Sequence, residues 1–206
     1  MFGGLFAPKY NSVKCKTALG ISLGRIKLLQ NKKAVQVKTL RREIASLLSS
    51  GKDESARIRV EAVMRELSMI TVLEILELFV ELISVRLQLI GAKEQCPLDL
   101  REAVATVIYT STRTEELPDL AGVRKQFTIK YGKEFIEAIV TDTTALSSGV
   151  NQKVFDKLAI RAPKPEDKVA LLQEIAVEHG LEWNPKEADT SILGAQPENL
   201  MDFDEP

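Results

Sequence analysis

Between Ser12 and Ser49 the apolar residues Leu19, Leu23, Ile26, Val37, Leu40, Ile44 and Leu47 recur at a four-three spacing broken by Gln30 and Lys33. That period predicts one long helix with a narrow buried stripe. The run Ser49-Ser50-Gly51-Lys52-Asp53 then predicts a hairpin turn. Gly51 suits the left-handed residue that follows a helix end, and Asp53 offers an acceptor to the free amides opening the next helix. A second helix is readable from Asp53 to about Ile90, ahead of Gly91 and Pro97. At 1.5 Å per residue both arms are roughly 55 to 60 Å long, and equal arms joined by a short turn fold back antiparallel.

The second arm changes character along its length. Asp53, Arg57, Glu61 and Arg65 alternate in sign at i, i+4, a solvated ladder worth ~0.3 kcal/mol per pair. From Val72 to Ile90, 13 of 19 residues are apolar, so this stretch is expected to be the buried axis of a helical bundle. Glu74, Glu77, Glu81, Ser84 and Gln88 trace its one polar line, read as the solvent side. Three glutamates and Arg86, each costing roughly 2.5 to 3.5 kcal/mol in a bilayer, argue against a membrane span. Shorter helices follow. Pro97-Leu98-Asp99 opens one with Leu100, Val104, Val107 and Ile108, and Leu117-Pro118-Asp119 opens another with Leu120, Val123 and Phe127, closed by Gly132. Phe135 to Val140 continues it; a polar break at Thr141 to Gly149 precedes Val150, Val154, Phe155 and Leu158, and a last helix runs from Val169 to His179 before Gly180. No strand and no internal repeat is readable, so the fold class is all-α.

Composition changes this picture only when it is resolved by position. The 206 residues carry 45% apolar and 5% aromatic side chains with a net charge of −1, ordinary for a globular chain. Yet Lys9, Lys14, Lys16, Arg25, Lys27, Lys32, Lys33, Lys38, Arg41 and Arg42 fall within residues 1 to 42 without one acid, and the end from Glu182 onward is strongly acidic. At about 100° per residue, Lys16, Lys27 and Lys38 form one line and Lys14, Arg25 and Lys32 another, each roughly 100° from the buried stripe. Segregation of this kind points to an anionic surface or an acidic partner, since a merely solvated face mixes its signs. A near-neutral total and the lack of interleaved aromatics argue against nucleic acid. Ahead of the basic run, Phe2, Leu5 and Phe6 are candidates for insertion into a membrane surface. The start has neither the basic and apolar regions of a signal peptide nor a glycine at position 2 for myristoylation. Cys15 and Cys96 are read as reduced thiols, which suits the cytoplasm.

Chemistry is sparse. His179, the only histidine, falls in the last turn of a helix, where a cation complements the negative end. No phosphate-cradling loop, nucleophile elbow or metal-ligand spacing is present, so no cofactor is expected and no catalysis. Gly20 and Gly24, four apart in the first helix, are read either as a close helix crossing or as tolerated glycines.

The hairpin block Gly51-Lys52-Asp53-Glu54-Ser55-Ala56-Arg57-Ile58-Arg59-Val60-Glu61, followed by Glu74-Ile75-Leu76-Glu77-Leu78, resembles the signature of the increased-sodium-tolerance family of ESCRT-III-related proteins. Lys32-Lys33, Arg42-Glu43-Ile44-Ala45, Lys130-Tyr131-Gly132-Lys133-Glu134-Phe135 and the stretch from Val150 to Pro185 are similar in order and spacing. The resemblance implies a helical core over residues 1–185, built on the long hairpin; beyond it periodicity fades, and an acidic, disordered tail is expected over 186–206. It implies a non-enzymatic protein of endosomal multivesicular-body sorting, cytoplasmic and peripheral to endosomal membranes. Its partners would be a CHMP-type ESCRT-III subunit, with which it co-assembles, and the AAA ATPase that disassembles those polymers. Because the tail, Ser191-Ile192-Leu193 through Asp204, lacks an amphipathic helix of leucines and an arginine, direct binding to the ATPase is not expected of this sequence. The alternative is an autonomous membrane-surface module acting through Phe2, Leu5, Phe6 and the basic arm.

Overall fold

A computed structural model describes residues 8–145, 147–159 and 161–184. Phe2, Leu5 and Phe6 and the acidic tail therefore lie outside the described residues. Helix α1 spans Ser12–Ser49, α2 Asp53–Val85, α3 Leu87–Ala92, α4 Arg101–Thr110, α5 Leu120–Tyr131, α6 Lys133–Val140, α7 Gln152–Leu158 and α8 Pro165–Glu178, with a 3-10 turn at Leu98–Leu100 before α4. Among the described residues there is no strand, in line with the all-α expectation.

Local chemistry sets most of these boundaries. The Asn11 side chain accepts the Lys14 amide at 2.9 Å and caps α1. At the other end Lys52 N–H bonds Leu47 C=O at 2.9 Å and Gly51 N–H bonds Leu48 C=O at 3.1 Å, the paired bonds that close a helix on a left-handed residue; Gly51 has φ +67°. The same pair recurs after α8, from Leu181 to Ala176 and from Gly180 to Val177, with His179 as the C-cap. Helix α8 begins four residues earlier than the apolar period predicts. Pro165 at its first position needs no amide partner, and Glu166 and Asp167 suit the positive helix end, but this first turn is polar and invisible to a hydrophobic pattern.

The expected continuous second arm is broken at Arg86 (φ −99°, ψ 10°). Its amide is shared between Leu82 and Ile83 carbonyls at 3.2 and 3.1 Å, and just before it the Ser84 hydroxyl donates to the Val80 carbonyl at 2.7 Å, a back-bond that bends helices.

Contacts divide the chain into two units. The first, Met1–Gln36 with Glu66–Ile160, has a core of Leu19, Ile26, Leu73, Leu76, Ile83, Ile90, Leu100, Ile108, Leu117, Leu120 and Phe127. Its most enclosed element is α4, where Ala103 through Thr110 are all buried, and not the late part of α2 as the composition of that segment suggests. Leu78 and Val85 of α2 stay 65% and 79% exposed. Gly122 on α5 sits so close to α1 that a Cβ there would lie 3.3 Å from Ala18 Cβ; Gly20 and Gly24 face open space, so neither makes a helix crossing within the described residues.

The second unit, Val37–Arg65 with Arg161–Pro206, holds the hairpin tip and α8 around Ile44, Leu48, Val60, Val63, Leu172 and Ile175. The solvated ladder expected on α2 is largely drawn inward here. Arg57 is buried, Glu61 takes an ion pair from buried Lys168 on α8 as well as from Arg65 at 3.7 Å, and the Asp53 carboxylate accepts the Trp183 indole N–H at 3.1 Å.

Candidate membrane and partner surface

The basic residues of α1 separate into three groups once their neighbours are known. Lys33 and Arg41 are structural, which corrects their reading as outward contacts. Lys33 is 7% exposed and pairs with Glu66 at 2.9 Å and Glu116 at 3.0 Å. Burial pulls its ammonium down, but the two carboxylates outweigh that and hold it above its ordinary range. Arg41 pairs with Glu174 at 2.7 Å and Glu178 at 2.6 Å, fastening α8. Arg25 and Lys27 are half-exposed and engaged. Arg25 meets Asp119 at 2.5 Å, and Lys27 reaches Glu77 at 3.3 Å and Glu81 at 3.4 Å, so part of the glutamate line faces α1 and not solvent alone. Gln30 adds a 2.8 Å bond to Glu77. Lys14, Lys16, Lys32, Lys38 and Arg42 are exposed and form no ion pair among the described residues.

In the hairpin block, Lys52 and Glu54 are exposed at the turn, Gly51 supplies the left-handed residue, and Arg59 pairs with Glu43 across the two arms. With Asp53, Arg57 and Glu61 turned to internal contacts, most of the block serves to build the hairpin tip.

The solvent face of α1 carries a feature that the four-three stripe hides. Val13, Ile21, Leu28 and Val35, seven or eight residues apart, are 52 to 72% exposed. At 100° per residue they fall within an arc of about 80°, with Lys14 and Lys32 along one edge and Lys16 and Lys27 along the other. Sequence reasoning assigned apolar residues to the buried stripe, yet the seven-residue interval from Ile21 to Leu28 to Val35 was there to be read. Apolar residues bordered by cations are a pattern shared with helices that lie in a membrane interface.

Two clefts flank the start of α1. One of about 700 Å³ is lined by Tyr10, Val13 and Lys16 with Ser84, Val85 and Leu87 around the α2 break; the other, of about 460 Å³, lies between α1 and α5. Neither thiol is poised as a nucleophile: burial pushes Cys15 up to about 11 and raises Cys96, leaving both protonated at neutral pH. Among the described residues no group of three His, Cys, Asp or Glu side chains could hold a metal, and no helix is long and apolar enough to cross a membrane.

Residues 16–182 match the sequence model of a family described as Ist1, regulator of Vps4 activity in the MVB pathway. The chain is 37% identical over 183 residues to an IST1-like protein of Dictyostelium discoideum, a match covering 89% of this chain and 48% of that one. It is 28% identical over 203 residues to the vacuolar protein sorting-associated protein IST1 of Saccharomyces cerevisiae, covering 95% and 66% respectively. The chain thus spans between about half and two thirds of these relatives. Among solved structures, the crystal structure of the S. cerevisiae Ist1 N-terminal domain in complex with the Did2 MIM motif is similar with a TM-score of 0.77 and 29% identity, over 85% of this chain and 96% of that one.

Proposed function

Because the chain belongs to the Ist1 family of regulators of Vps4 activity in the MVB pathway, we propose that it is a non-catalytic, ESCRT-III-like assembly and regulatory protein of endosomal multivesicular-body sorting. It binds the C-terminal segment of a CHMP-type ESCRT-III subunit by a helix-in-groove contact and acts on the ESCRT AAA ATPase through that partner. The observation that carries this reading is the shared fold with a domain that was crystallised holding the Did2 MIM motif. Fluorescence anisotropy with labelled C-terminal peptides from a panel of CHMP-type subunits tests it. One class should bind at least about tenfold more tightly than the rest, a difference of ~1.4 kcal/mol; equal or absent binding across the panel refutes the reading.

The exposed line on α1 favours a second, compatible activity: peripheral contact with anionic membranes through α1 itself, with Lys14, Lys16 and Lys32 supplying charge and Val13, Ile21, Leu28 and Val35 the apolar surface. In vesicle sedimentation Leu28→Asp should abolish binding to anionic vesicles while leaving peptide binding intact. If deletion of residues 1–10 removes vesicle binding and Leu28→Asp does not, the contact belongs to Phe2, Leu5 and Phe6 instead.

A further inference from the structure

The smaller of the two clefts beside α1 gathers three cations and no carboxylate over a fixed floor, where the larger has Lys16 alone. Lys9, Lys14 and Lys125 line the smaller one, all exposed, and no acidic side chain is among the described residues around it. The nearby carboxylate on the approach to α5, Asp119, is already held by Arg25 at 2.5 Å. Gln126 lies at the base, 8% exposed, its Oε1 accepting the Asn11 amide at 2.9 Å. Asn11 in turn caps α1 through the Lys14 amide, so the segment bearing Lys9 and Lys14 is tied to the helix bearing Lys125. The near contact of Gly122 with Ala18 sets the separation of the two helices. The cavity is therefore built by packing and hydrogen bonds, while its charge comes from ammonium groups that form no ion pair among the described residues.

We propose that this cleft binds a phosphomonoester, carried on a lipid headgroup or on the free headgroup. Three ammonium groups around one concavity make it electropositive, which favours an anion of more than unit charge over a singly charged one, and a phosphomonoester brings about −1.5 to −2 with three acceptor oxygens. A carboxylate brings a single charge and is better matched by the planar fork of arginine. A volume of about 460 Å³ is at the scale of a small-molecule site. Lys9 and Lys14 stand at the start of α1, where the apolar line with its cation rails also begins, and Lys125 faces them from α5. For the lipid form the inference rests on the membrane contact proposed above, to which it adds headgroup selectivity.

The test uses the whole chain with vesicles of phosphatidylcholine containing either phosphatidylinositol monophosphate or phosphatidylserine at matched surface charge, and separately with soluble inositol bisphosphate in titration calorimetry. The phosphomonoester vesicles should bind at least about fivefold more tightly, and Lys14→Ala and Lys125→Ala should each erase that preference, with a residual affinity for phosphatidylserine. Lys32→Ala, a railing lysine outside the cleft, should weaken both vesicle types alike and keep the preference. Saturable binding of the soluble headgroup, lost in Lys125→Ala, supports a free ligand as the source; a preference seen with vesicles alone supports the lipid. Equal binding of the two vesicle types, or loss of the preference in Lys32→Ala to the same extent as in Lys125→Ala, overturns the proposal, as does displacement by an acidic peptide as effective as the headgroup. Binding of the CHMP-type peptide, measured on the same variants, reports separately on the family function, and retained phosphatidylserine binding on the membrane contact.

Discussion

Replacing Lys33 by methionine separates structural from functional charge on α1. Methionine keeps the unbranched apolar stem and lacks only the terminal ammonium, so the loss is confined to that group and its two partners. Removing one member of a buried pair costs about 3 to 5 kcal/mol when the remaining charge is stranded. Here Lys33 is 7% exposed, but Glu66 and Glu116 keep 20% and 41% of their side-chain surface, and water can resolvate them in part, which brings the expected loss to about 2 kcal/mol. In a chain of this size that lowers Tm by roughly 4 to 8 °C. Urea denaturation followed by helical circular dichroism is the assay, because Trp183 sits in the other contact unit and does not report on this site. The contrast is Lys38→Met, exposed and without an ion pair among the described residues, which should change stability by less than about 0.5 kcal/mol. The pH dependence carries a sign. The folded-state pKa of Lys33 is raised, so its contribution is complete below the unfolded lysine value of ~10.4 and is lost as pH rises through the folded value; Lys33→Met should flatten that alkaline limb. A Lys33→Met protein within about 0.5 kcal/mol of the parent would refute the assignment of Lys33 to the fold.

Two further predictions concern the loops. Asp142 accepts the Thr144 amide and hydroxyl at 2.8 and 2.9 Å and the Ser147 hydroxyl and Ser148 amide at 3.0 Å each, so Asp142→Ala should cost about 2 to 3 kcal/mol in urea denaturation. Hydrogen bonds from Ser148 and Thr144 hold its carboxyl well below the usual range; the stabilisation is therefore present above pH ~4 and lost on acidification toward the folded value, and Asp142→Asn should be less acid-sensitive than the parent. At Gly51 a Cβ meets nothing within 4 Å, so Gly51→Ala should cost only the left-handed backbone penalty of about 1 to 2 kcal/mol. Gly51→Asn should cost less than Gly51→Ala, and the reverse order in chemical denaturation would point to a steric cause.

Legibility followed the range of the interaction. The limits of α1, the turn at Gly51 and the end of α8 at Gly180 were readable because caps and left-handed glycines act within a few residues. The break at Arg86 was not, since the apolar period runs through it and only the Ser84 back-bond and a shared amide bend the chain there. The core was readable as apolar residues but not by rank: the greasier α2 leaves Leu78 and Val85 exposed, while the short α4 is buried from Ala103 through Thr110, because enclosure depends on how many helices gather around an element.

The sequence by itself determined an all-α chain with a long hairpin and a cationic first arm, because periodicity, capping and formal charge are properties of neighbouring residues. Only the tertiary structure decided which of those cations are paired among the described residues. Arg25 finds its carboxylate 94 residues away and Arg41 finds two at 133 and 137, and partners at such separations are chosen by packing. The same packing turned Lys33 inward and left Val13, Ile21, Leu28 and Val35 facing out, so the exposed apolar face of α1, here proposed as a membrane contact, emerged only when the helices were assembled.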